Sequence, residues 1–150
     1  MYRFLLLLHI VAATVWVGGA VVVQLLGVRV ERSADPTELP RLARHVEAIG
    51  NVAFVPAAGL LLLSGAVMTA QAWAFSQTWI LIAIALWLLS AFAGGVYLAP
   101  RARRVVTLFE AEGPTSVTAR RLMARLFVVS RIELASFAVI LVLMVYKPGA

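Results

Sequence analysis

The sequence predicts an all-α protein, a four-helix transmembrane bundle running up-down-up-down with both termini on the outer side. Three observations carry that prediction. Of 150 residues, 63% are hydrophobic and only 13% are charged, which is too apolar for a water-soluble domain of this size. Windows long enough to cross a hydrocarbon core about 30 Å thick fall near residues 4–28, 49–70, 79–99 and 127–146. The arginines gather in alternate connections. Arg29, Arg32, Arg41 and Arg44 lie in the first, and Arg101, Arg103, Arg104, Arg120, Arg121 and Arg125 in the third. The second connection, AQAWAFSQ, has none, and only Arg3 and Lys147 stand on its side. The positive-inside rule then turns the first and third connections to the cytoplasm. The same clustering accounts for the net charge of +6 as a topology signal, with no nucleic-acid partner implied.

Residues 1–150 form a single membrane domain in this reading. The first window reads as a retained helix, because the stretch after Arg3 is too long for a signal peptide and lacks a small-residue cleavage site. Gly18, Gly19, Ala12, Ala13 and Ala20 give it a smooth side against which a neighbour packs closely. In the first connection D-P-T-E has capping-box spacing, with Asp35 and Glu38 at the box positions and Pro36 at the first helical position, so a helix is expected to start there. Pro56 falls inside the second window near Gly50, Gly59 and Gly65, where loss of an N–H should bend the helix. Trp73 and Trp79 flank the outer turn and Tyr146 closes the last window, the positions of headgroup anchors. In the third connection EAEGP breaks the helical pattern at Gly113 and Pro114, and TSVTARRLMARLF resumes a basic amphipathic one, so helical extensions should protrude into the cytoplasm. A short echo links VWVGGAVV with AFAGGVYL.

The absence of cysteine excludes disulfides, thiolate metal sites and cysteine nucleophiles. No nucleophile triad, glycine-rich phosphate loop, zinc spacing or nucleic-acid module is present. What remains is a small set of polar side chains inside apolar windows. His9 shares a stripe with Ala13, Trp16, Ala20 and Gly27 and should point inward, about 8 Å from the outer end of its helix. An ionisable group there implies ligation or proton handling, or else a neutral imidazole hydrogen-bonded to a neighbouring helix. Met68 and Met144 should lie at a similar depth, whereas His45 belongs to the opposite face, which disfavours a bis-histidine haem built from one chain. His9 with a methionine suits haem or Cu(I) equally. A second polar set, Gln24, Asn51, Tyr97, Arg131 and Glu133, lies near the inner ends. Two residues apart, Arg131 and Glu133 point to different sides of their helix, so Glu133 needs a partner elsewhere. Glu133 is expected either to handle protons or to make a structural contact.

The strings LHIVAATVWVGG and RIELASFAVILVLMVYKPG together resemble a group of small bacterial inner-membrane proteins: HemJ-type protoporphyrinogen oxidases, CopD-type copper-resistance proteins, and an uncharacterised integral-membrane family allied to both. WILIAIALWLLSAFAGGVYLAPRARRV is most similar to the uncharacterised branch. The resemblance implies haem b at His9 and catalytic parts for Arg131 and Glu133; Trp16 on the His9 stripe and Met68 and Met144 at its depth are the candidates to line the cofactor. Copper is the alternative guest. The chain departs from HemJ-like proteins where Ile80, Leu81, Ile82, Ala83 and Ile84 follow Trp79, without the lysine those proteins carry, and in the shorter arginine-glutamate spacing, which lacks their asparagine. A different reading, also open, is a non-enzymatic accessory or assembly subunit whose small-residue faces pack in a homo-oligomer or a larger membrane complex.

Overall fold

The computed structural model describes residues 1–149, and among them every regular element is helical. Four long helices form: α1 (Tyr2–Glu31), α2 (Glu38–Ala72), α3 (Thr78–Glu112) and α4 (Val117–Tyr146), each long and apolar enough to cross a membrane. They are 30, 35, 35 and 30 residues long. At 1.5 Å per residue they measure roughly 45–52 Å, well over the ~30 Å hydrocarbon core. The excess, residues 38–48, 100–112 and 117–126, lies outside the apolar windows at the end where the arginines are.

That arginine-rich end holds the larger core. Leu39, Leu42 and Ala43 of α2, Val105, Val106 and Phe109 of α3, and Ala119, Met123, Leu126 and Phe127 of α4 are buried together with Val23 of α1. Helices that leave the bilayer are surrounded by water, so their apolar stripes must close on one another. Toward the other end, which carries both termini, the main buried cluster is small: Ala12, Ala57 and Leu61, with Ala13 and Trp16 against it. There α1 packs on α2 and α3 packs on α4. Contact between these two hairpins is concentrated toward the arginine-rich half and is sparse in the terminal half. The bundle is therefore clamped at one end and parted at the other.

Three helices contain a π-type wide turn: Thr14–Gly18 in α1, Gly50–Phe54 in α2 and Ala93–Leu98 in α3. The first and third fall on the two echo strings. The second and third end two residues before Pro56 and Pro100, so the strain of a proline lacking its N–H is taken up in widened backbone within a continuous helix.

Two local expectations are corrected. The second helix begins at Glu38, not at Pro36: Asp35 accepts hydrogen bonds from the N–H and the hydroxyl of Thr37, each 2.8 Å. This local turn competes with the capping box for the aspartate. It also holds the exposed Asp35 carboxyl below its ordinary pKa, the backbone bond being the larger cause. Trp79 is buried, not lipid-facing; its indole N–H donates to Gln77 Oε1 at 2.9 Å and its ring meets Trp73 edge-on at 5.5 Å. Lys147 then lies over Trp73, 4.5 Å from the ring centre, fastening the end of α4 to the α2–α3 turn.

The smooth side of α1 is used as expected. A Cβ on Gly19 would fall 2.6 Å from the Phe54 ring, and one on Gly27 2.6 Å from two carbons of the buried Phe127 ring, whereas Gly18 has open space. Gly27→Ala should therefore destabilise the protein by about 1–3 kcal/mol through overpacking. Gly18→Ala should be neutral or stabilising by up to about 1 kcal/mol, because only helix propensity changes. Thermal unfolding of the detergent-solubilised variants checks the pair; equal losses at both positions would contradict the packing described.

Candidate functional site

Polar side chains inside the spans form two layers. In the first, His9 Nδ1 lies 2.9 Å from Ser64 Oγ, and the ring also rests against Gly65, where a Cβ would come within 3.2 Å of His9 Cε1. Ser64 is buried and donates its own hydroxyl to the Leu60 carbonyl one turn back. With that hydrogen committed, the serine oxygen accepts from the imidazole. A neutral His9 therefore carries its proton on Nδ1 and a free lone pair on Nε2. Sequence reasoning missed Ser64, although a serine followed by glycine in an apolar span is a recognisable signal for interhelical contact.

Below His9, Trp16 packs on Phe137 with ring centroids 4.7 Å apart and meets Trp87 edge-on at 6.5 Å. These rings, from α1, α4 and α3, close the space between the hairpins near mid-height. Seven residues toward the terminal end from Trp16 is His9; seven from Phe137 is Met144. Each step is about 10 Å along the axis. His9 and Met144 are thus placed at about one height above this aromatic floor, His9 turned to Ser64 and Gly65 of α2 and Met144 on α4. Met68 follows Ser64 by four residues on the same face of α2, one turn further out. Both methionines are half-buried.

The second layer lies on the arginine-rich side of the floor and only partly matches the expected set. Gln24 is buried and bridges two helices: its Nε2 donates to the Phe127 carbonyl at 3.1 Å, and its Oε1 accepts from Arg131 Nε at 3.2 Å. Arg131 is therefore engaged away from Glu133. Tyr97 belongs to a different contact, with the Arg101 guanidinium 3.7 Å above its ring and bonded to its carbonyl. Asn51 and His45 are exposed and join neither layer. Glu133 is half-buried, one turn from Phe137 on the same face.

A family model described as "Predicted integral membrane protein (DUF2269)" matches residues 3–148. No curated protein and no solved structure matches the chain.

The Gln24 bridge joins helices distant in sequence, so its loss has a measurable cost. Gln24→Leu should lower stability by about 1 kcal/mol, the usual worth of an interhelical hydrogen bond in a membrane, and Asn51→Leu should change it by less than about 0.5 kcal/mol. Unfolding by a denaturing detergent at fixed lipid content measures both; a larger loss at Asn51 would refute the division into layers.

Proposed function

The chain belongs to the family of predicted integral membrane proteins designated DUF2269, and we propose that this multi-pass protein sits in the bacterial inner membrane, termini outward, and holds haem b or a similar flat redox group beside His9. The observation that carries this reading is the His9–Ser64 contact. It fixes the imidazole by its Nδ1–H and leaves Nε2 available, the arrangement in which ligating histidines are usually found. The residues present fit such a group: an imidazole nitrogen on one wall, the Met144 thioether at the same height on another, and the Trp16, Trp87 and Phe137 rings beneath. Haem b supplies one-electron chemistry when bound by such ligands.

The resemblance of the first and last helices to HemJ- and CopD-type proteins supports the same reading. In it Arg131 and Glu133, on the other side of the aromatic floor, hold and move protons and do not ligate. The His9 and Met144 pair also has the donor chemistry for Cu(I), so copper is the alternative guest.

Purified after expression with ample haem, the protein should show a Soret band. His9→Ala should abolish it, Met144→Leu should shift it, and Ser64→Ala should weaken haem affinity roughly 10- to 100-fold by freeing the imidazole. Absence of the band, or an unchanged band in His9→Ala, refutes the haem reading. Stoichiometric Cu(I) lost in His9→Ala would then establish the alternative. A ligand-free chain migrating with a larger membrane assembly would establish an accessory subunit.

A further inference from the structure

We propose that Glu133 is a proton-binding site within the membrane, linked through water to the indole N–H of Trp87 and the hydroxyl of Ser90. The inference rests on the proton role given to Glu133 above and deepens it by naming its partners, and it does not depend on what the region above the aromatic floor holds. Trp87 Nε1 is buried and has no hydrogen-bond partner, alone in this among the side-chain atoms of the described residues. A buried donor of this kind requires an acceptor. Ser90 is buried three residues further along the same face of α3, toward the arginine-rich end. Phe137 and Trp87 both touch Trp16 and so share a height, which puts Glu133, one turn below Phe137, beside Ser90 in the same layer. On α1 the position four residues past Trp16 is the small, buried Ala20.

The layer is closed on both sides. Above it are the three aromatic rings; below it Gln24 ties Arg131 to the Phe127 carbonyl. Glu133 makes no ion pair, and the single salt bridge among the described residues, Arg103 with Glu47 at 3.8 Å, lies at the arginine-rich end. An unpaired carboxylate at this depth is costly, which favours proton uptake. Water between the carboxyl and the donors serves both states: it donates to the carboxylate and accepts from the acid, and Trp87 N–H always finds an oxygen. The charged and titratable groups around the site are few. Arg131 on α4 is held by Gln24, Tyr97 on α3 lies under Arg101, and His9 on α1 is beyond the aromatic floor. At this height α2 contributes none, since His45 and Glu47 lie nearer the arginine-rich end.

The test uses the full-length protein in phosphatidylcholine vesicles and dicyclohexylcarbodiimide, an apolar reagent that modifies protonated carboxyls within membranes, with peptide mass spectrometry as readout. Modification should occur at Glu133, decline as pH rises, and vanish in Glu133→Gln. Trp87→Phe keeps the ring packing but removes the donor to the charged form, so the midpoint of the decline should rise by roughly one pH unit. Ser90→Ala should move it the same way. In parallel, infrared difference spectra should show a protonated-carboxyl band that is absent from Glu133→Gln. Two results would overturn the proposal: no labelling at Glu133 together with no infrared band assignable to it, or a labelling midpoint that stays put in both Trp87→Phe and Ser90→Ala.

Discussion

Burial of apolar surface drives association only where water is the alternative, and the rest of this structure follows from where that condition holds. Beyond the membrane, the extensions of α2, α3 and α4 gain by closing their stripes around Val105, Phe109, Met123 and Leu126. Inside the bilayer an exposed leucine loses nothing to lipid, so helices meet there through small residues, close fit and occasional hydrogen bonds. The chain accordingly spends its large side chains differently at the two ends. Leu7, Ile10, Leu63, Leu88 and Leu89 stay on the surface, and in the terminal half Ala12 packs on Ala57 and Gly65 on His9. A clamp at one end lets the hairpins part at the other without unfolding.

Within that frame, the polar groups of the spans divide by how they are satisfied. His9 and Ser64 pass one chain of hydrogen bonds from imidazole to hydroxyl to the Leu60 carbonyl. Gln24 uses both halves of its amide, toward Phe127 and Arg131. Each such bond contributes only about 1 kcal/mol in a membrane, enough to orient a side chain but not to hold the bundle. A carboxylate without a partner at the membrane centre costs about 2.5–3.5 kcal/mol even on the mildest scale. The cost of Glu133 thus outweighs the gain from either paired group.

Much of this was legible in the sequence, and the misses share a cause. The count of four long apolar helices depends on summed hydropathy and was legible; the turn at Gly113 (φ 83°) needs a backbone that glycine adopts freely, and Ser116 caps the next helix through its bond from Ala119 N–H. The inward face of α1 followed from spacing. What did not follow was anything set by one side chain choosing between two partners. Asp35 serves Thr37 and not the capping box, Trp79 turns inward because Gln77 offers an acceptor, and Arg131 goes to Gln24. Ser64 and Trp87 were overlooked because their importance lies in register between helices, and no single helix's pattern contains that register.

The wide turns explain how one helix can satisfy both ends of such a bundle. A π-type turn carries one extra residue, which rotates everything beyond it by about 100° relative to an uninterrupted helix. In α1 the turn at Thr14–Gly18 separates His9 and Ala12, which face α2, from Val23, Gln24 and Gly27, which face α4 and the larger core. In α2 and α3 the turns at Gly50–Phe54 and Ala93–Leu98 stand between the core residues of the protruding segments and the small-residue contacts of the spans. Each proline fixes where the change of face occurs, because its missing N–H forbids regular bonding there. α4 has no such turn: it runs as one α-helix, with Met123 and Phe127 in the core at one end and Phe137 against Trp16 further along. The helix that carries both Glu133 and Met144 is thus the continuous rod against which the other three change face.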